Sequence, residues 1–192
     1  MQRVKVYELF VLGELTGGPH HGYLLREILG KVLGPFRQVS WGVLYPLIHR
    51  LEEEGLIMPN TQRKAHTPKE PGKSGQRNLY AITSTGRARL LELMLDLVPY
   101  AAYDPDLFVI KLSYFDFITQ DEQCAILQHH RGYLQTHDDH LRTNLQWVMA
   151  DDDIPQHERA RIQWVTEFRL SRIQSEIAWV EAALANVRTR NQ

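Results

Sequence analysis

Apolar residues recur at helical spacing along most of the chain, and the pattern breaks where glycine and proline cluster. Val6, Leu9, Phe10 and Leu12 share one face of a helix expected from about Val4 to Leu15. Gly17-Gly18-Pro19 ends it, because glycine accepts turn dihedrals and proline has no N–H to give the preceding ladder. A second helix is expected from near His20, carrying Tyr23, Leu24, Ile28 and Leu29 and closing around Gly30 to Gly34. Ser40 stands where an N-cap belongs, and Val43, Leu44, Leu47, Ile48 and Leu51 then form a third helical stripe that stops at Gly55. Pro46 lies inside that stripe and predicts a kink.

From Leu56 the pattern changes. Two short β-prone pieces, Leu56-Ile57-Met58 and Leu79-Tyr80-Ala81-Ile82, flank a stretch rich in proline and glycine, which predicts a two-stranded hairpin with a long tip. Thr83 or Thr85 then caps a helix reaching Leu97. The second half reads as helical throughout. A segment from about Asp106 to Phe117 precedes Thr119-Gln120-Asp121-Glu122, a capping-box pattern. Leu127, Leu134, Leu141 and Val148 recur every seventh residue, and Ile173, Ile177, Val180, Leu184 and Val187 keep a 4-3-4-3 spacing. Such seams leave apolar surface in water unless something covers them, and the expected cover is a second copy in a homodimer.

Composition narrows the picture. With 192 residues, 43% of them hydrophobic and 23% charged, the chain is of ordinary globular make-up. Its only cysteine, Cys124, excludes an intrachain disulfide, and no apolar run approaches the roughly 20 residues a membrane helix needs. Glu8 and Glu14 interrupt the stretch after Arg3 and Lys5, unlike a signal peptide, so a cytoplasmic protein with no membrane partner is expected. The net charge of −1 conceals a division: residues 1–90 carry +6 and residues 91–192 carry −7. Five of the cations (Arg63, Lys64, Lys69, Lys73 and Arg77) sit in the hairpin tip against the single acid Glu70. A basic half joined to an acidic half points to a polyanion as partner of the first.

Three helices and then a cationic hairpin is the order of a winged helix-turn-helix, whose third helix enters the major groove while the wing neutralises phosphates. The stretches His21-Gly22-Tyr23-Leu24-Leu25, Gly42-Val43-Leu44-Tyr45-Pro46-Leu47-Ile48, Leu51-Glu52-Glu53-Glu54-Gly55-Leu56-Ile57 and Gly75-Gln76-Arg77-Asn78-Leu79-Tyr80-Ala81-Ile82-Thr83 resemble the PadR family of bacterial transcriptional regulators. The resemblance spans residues 4–97; the acidic tail is similar to the longer members in architecture alone. The chain departs from the family in its longer wing and in Gln76, where proline or a basic residue is common.

The resemblance implies a mainly α protein, with a winged helix-turn-helix domain over residues 1–97 and an all-helical dimerisation and effector-sensing domain over 98–192. It further implies a homodimeric repressor on a palindromic duplex operator, nucleoid-associated when bound. A small aromatic acid such as p-coumaric acid would release it, and the controlled gene would encode a phenolic acid decarboxylase or a stress protein. A multidrug-responsive repressor and a virulence-type activator are the alternatives within the family. The residues carried over to DNA are Arg37, Gln38, Ser40, Trp41, Val43, Tyr45, His49 and Arg50, the last two on the helix's exposed side, with Lys64, Lys73 and Arg77 as wing clamps. For Trp41, packing is the competing role.

An aromatic acid needs an apolar slot with a polar anchor. Tyr100, Tyr103, Phe108, Trp147, Trp164 and Phe168 are the candidate walls; Lys111, His157 and Arg169 are the candidate carboxylate partners. The histidines His129, His130, His137 and His140 lack the cysteine pair a structural zinc usually has, so no metal or other cofactor is expected. No nucleophile, base and orienting group recur at an enzyme's spacing, and no phosphate loop is present, so catalysis is not expected. A protein-interaction adaptor would leave the wing cations unexplained.

Overall fold

A computed structural model describes residues 2–34, 39–60 and 78–189. They form two compact units, residues 1–118 and 119–192. The first contains helices α1 (Gln2–Glu14), α2 (Gly22–Leu33), α3 (Trp41–Glu53), α4 (Ser84–Leu95) and α5 (Pro105–Leu112), with strands β1 (His20–His21), β2 (Ile57–Pro59) and β3 (Leu79–Ile82). The second is a pair of long helices, α6 (Gln120–Ala150) and α7 (Gln156–Thr189). Among the described residues no helix is long and apolar enough to cross a membrane.

The centre of the first unit is α1. Its sequence pattern predicts one apolar face, but Glu8, Val11 and Gly13 are buried along with Val6, Leu9, Phe10, Leu12 and Leu15. The reason is that α2, α3, α4 and α5 all pack on α1, so it has no solvent side over its last two turns. Tyr114 shows how closely the chain after α5 returns to it. Its hydroxyl donates to Glu14 Oε1 at 2.8 Å, and its ring lies where a Cβ on Gly13 would come within 2.4 Å. Burial, above all, and the Glu14 carboxylate hold the Tyr114 phenol well above the ordinary tyrosine range. This insertion accounts for α5 ending at Leu112 and a 3-10 turn, Phe115–Phe117, coming after it, in place of one helix to Phe117.

The sheet has three strands in the order β1-β3-β2, all antiparallel. The expected hairpin is therefore extended by His20–His21, which pair with Tyr80 and Leu79. The second helix correspondingly begins at Gly22.

Thr119 and Glu122 start α6 with the capping box expected of them: Glu122 Oε2 accepts from the Thr119 N–H at 2.7 Å. The two heptad-like seams close on each other. Leu127, Leu134 and Leu141 of α6 are buried along with Leu170, Val180, Leu184 and Val187 of α7, while Ile173 and Ile177 are half-buried. This corrects the assignment of the seams to a dimer: residues 151–155 turn the chain back, and the partner of each seam is the other one in the same chain. His130 is buried on α6 with its Nε2 2.8 Å from Glu176 Oε1 of α7. Among the described residues no group of three or more His, Cys, Asp or Glu side chains could hold a metal ion.

Leu134→Ala removes a buried seam side chain and is expected to lower unfolding stability by about 2–5 kcal/mol in chemical denaturation; an unchanged midpoint would contradict the packing. Burial, opposed by the Glu176 hydrogen bond and charge, holds the His130 imidazole below its ordinary value. The unfolded chain then takes up more protons, so stability is full above about pH 6.5 and falls as the pH drops below it. Thermal melts from about pH 7 to about pH 5 are expected to show this loss reduced in His130→Leu; equal slopes in both proteins would contradict it.

Candidate nucleic-acid interface

The third helix is fastened on one side and bare on the other. Leu44, Leu47, Ile48 and Leu51 are buried, whereas Gly42, Val43, Tyr45, Pro46 and His49 are exposed. Pro46 lies on the bare side, and the helix is continuous through it. Lacking an N–H, Pro46 leaves the Gly42 carbonyl for water to satisfy, which only an exposed position allows. The Tyr45 ring meets the His49 imidazole edge-on, 4.6 Å between centroids.

Both ends of α3 are fixed from outside the helix. At the start, Arg26 of α2 donates from Nε to the Val39 carbonyl at 2.9 Å, and its guanidinium lies 5.2 Å from the centre of the Trp41 ring. A Cβ on Gly22 would sit 3.4 Å from Ile48 Cδ1 and 3.9 Å from the Trp41 ring, so α2 and α3 approach closely there. Ser40 is the N-cap residue by position, but its side chain makes no capping hydrogen bond and is exposed. Together with the helix dipole, this leaves a partly positive end bearing an outward hydroxyl, suited to a phosphate.

At the other end Gly55 takes φ +68°, the left-handed conformation that closes a helix, with Leu56 N–H donating to the Leu51 carbonyl and Gly55 N–H to that of Glu52. Thr83 then clasps the base of the hairpin. Its hydroxyl accepts from Gly86 N–H at 3.0 Å and lies 2.8 Å from the Gly55 carbonyl. A Cβ on Gly86 would come within 2.0 Å of the Leu56 carbonyl oxygen, so the clasp requires glycine there.

Of the residues expected at DNA, Ser40, Val43, Tyr45 and His49 come together on the exposed start and outer face of α3. Trp41 is half-buried beneath Arg26, in the packing role. Arg50 has a side chain that is 41% exposed, but it is tied to α1. Its Nη2 reaches back to the Glu8 carboxylate of α1 at 2.6 Å, because α1 offers a buried negative charge there. Arg37, Gln38, Lys64, Lys73 and Arg77 lie outside the described residues. Sequence reasoning missed Arg26 as the clamp on α3. It also missed the stacked pair His21 and Tyr23, ring centroids 5.5 Å apart, beside the start of α2.

The residues expected at a ligand fall in both units. In the first, Tyr100 is exposed on a 3-10 turn, Tyr103 is half-buried just after it, and Phe108 is buried in α5. Lys111 is buried as well and donates from Nζ to the Asp96 carbonyl at 2.7 Å, where it closes the end of α4. Burial, helped by the Lys5 charge and opposed by Asp96, pulls the Lys111 ammonium down to about 8. In the second unit Trp147 and Trp164 are each 80% exposed, and Phe168, His157 and Arg169 are exposed too.

Residues 11–92 match the model of the transcriptional regulator PadR-like family. Over 186 residues the chain is 20% identical to the negative transcriptional regulator PadR of Bacillus subtilis, covering 96% of this chain and 98% of that protein. The crystal structure of Bacillus subtilis PadR in complex with operator DNA is 20% identical, with a TM-score of 0.41 over 94% of this chain and 98% of that one. The same regulator in complex with p-coumaric acid is 18% identical, with a TM-score of 0.41 over 98% of each chain. The Vibrio cholerae virulence activator AphA is 18% identical, with a TM-score of 0.38 over 95% of this chain and 98% of that one.

The two aromatic residues of α3 are expected to separate by role. Trp41→Ala removes a packed ring with its cation–π partner and should cost roughly 1–3 kcal/mol of stability. Tyr45→Ala, on the bare face, should change it by about 0.5 kcal/mol or less. Denaturant unfolding of the two variants checks this; equal losses would contradict the division of the helix.

Proposed function

We propose that the chain, whose residues 11–92 match the model of the transcriptional regulator PadR-like family, is a member of that family and a homodimeric repressor of a palindromic duplex operator, released by a small aromatic acid. The observation that carries the reading is the bare face of α3: Ser40, Val43, Tyr45 and His49 are exposed together while the opposite face is buried. Val43 suits a thymine methyl and the Tyr45 hydroxyl suits a phosphate or base edge. Lys64, Lys73 and Arg77 would clamp phosphates from the wing, giving affinity without sequence information.

In this reading residues 1–97 bind DNA and residues 98–192 dimerise and sense the effector, in the bacterial cytoplasm and on the nucleoid when bound. The seams are used within the chain, so the dimer needs a different face. On α7, Trp164, Phe168 and Trp179 are exposed and fall opposite Leu170, Val180 and Leu184, which supports that face as the interface. Two recognition helices must meet half-sites about 34 Å apart, so a modest change in their spacing breaks simultaneous engagement. The effector has to bind the non-DNA conformation better, and its preference bounds the response. Repression agrees with the Bacillus subtilis relative, described as a negative regulator, and p-coumaric acid, bound in a solved relative, is the first compound to try. Phenolic acid decarboxylase or stress genes are the targets to examine first.

Fluorescence anisotropy of labelled duplex DNA against protein, at several salt concentrations, tests the reading. Binding should weaken steeply as salt rises, with a log–log slope of about −0.9 per phosphate neutralised, and p-coumaric acid should dissociate the complex on its operator. Folded protein that binds no duplex at low salt overturns DNA binding; a complex that persists at saturating p-coumaric acid overturns that effector.

A further inference from the structure

Glu8 is 3% exposed on α1, and each of its carboxylate oxygens accepts one guanidinium hydrogen bond. Arg50 Nη2 of α3 donates to Oε2 at 2.6 Å and Arg89 Nε of α4 donates to Oε1 at 2.8 Å. One carboxylate thus joins three helices. Arg50 comes seven residues after Val43, two turns along the same flank of α3. A buried ion pair is weak evidence for net stability, since desolvation offsets most of its attraction; its better-attested use is to fix register. The apolar inner face of α3 is held by non-directional forces, whereas the charge-assisted hydrogen bond from Arg50 is oriented, and its acceptor carboxylate is itself held by Arg89 of α4.

We propose, building on the DNA-binding reading, that Glu8 is a positioning residue for base reading: through Arg50 it sets the roll of α3 about its own axis, and so which outward side chains reach base edges. The same carboxylate neutralises two guanidiniums beside the helix. Without it Arg50 keeps only the long 3.9 Å approach to Glu54 and Arg89 keeps Glu92 at 3.1 Å, so the surface beside the helix becomes more cationic by one charge, which favours any duplex. Selectivity should therefore suffer from both directions.

The test uses the full chain. Wild-type protein selects duplexes from a random-sequence pool, and affinities for the enriched duplex and a scrambled one are measured for wild type, Glu8→Gln, Arg50→Gln and the double variant. Glu8→Gln should cut the ratio of the two affinities roughly tenfold or more, about the size of one lost base contact, with scrambled-duplex affinity held or raised. Arg50→Gln should cut the ratio similarly, and the double variant no further than either single one. An unchanged ratio in folded Glu8→Gln overturns the proposal. So does an Arg50→Gln that weakens both duplexes equally and makes the salt slope shallower by about one, the mark of a phosphate contact. Should Glu8→Gln not fold, Glu8→Asp and Arg50→Gln decide the matter, wild-type ratios in both overturning it. Wild-type protein that enriches no duplex overturns the DNA-binding reading itself.

Discussion

The desolvated inner face of α3, four aliphatic side chains set into the first unit, and the Glu8 carboxylate of the central helix α1 that pins its flank are what fix the outward face of α3. Each buried aliphatic contributes about 1.5–3 kcal/mol, so the face supplies most of the hold. The ion pairs add direction rather than strength. Around this helix the other elements act as fixtures: Arg26 and Trp41 at its start, Gly55 and the Thr83 clasp at its end. What remains unfastened is a single strip of surface carrying Val43, Tyr45 and His49. A rigid helix with one bare strip is what insertion into a groove requires, because base edges discriminate by hydrogen bonds that tolerate little displacement.

Features written in local sequence were legible. Gly55 closes α3, and Thr119 with Glu122 opens α6, because caps depend on residues three or four apart. The apolar stripe of α3 was readable for the same reason. Features that depend on distant partners were not. β1 is two residues long and exists only by pairing with β3, some sixty positions later. Arg50 lies on the flank of its helix, and nothing near it in sequence reveals that Glu8, 42 positions earlier, waits as a buried anion. Heptad spacing announces that a seam needs cover without saying whose. In α6 and α7 the cover is the chain itself, so heptad spacing does not argue for a dimer here.

That second face sets the chemistry of the acidic half. An α7 buried along Leu170, Val180 and Leu184 would ordinarily carry polar residues opposite; this one carries Trp164, Phe168 and Trp179. Large exposed aromatics grouped on one helix are unusual on a monomer, and the proposed dimer interface rests on them. The residues that the sequence suggests as pocket walls and anchors divide accordingly: Phe108 and Lys111 are structural members of the first unit, whereas Trp147, Trp164 and Phe168 are surface in the second.

The central claim is that the bare strip of α3 meets duplex DNA, and proximity measures it directly. A photoreactive group attached at Tyr45→Cys or His49→Cys, in a Cys124→Ser background, is illuminated with a bound duplex. The account predicts protein–DNA crosslinks from both positions and none from the same group at Ser175→Cys on α7. A duplex that remains bound yet crosslinks from neither Tyr45→Cys nor His49→Cys would contradict it.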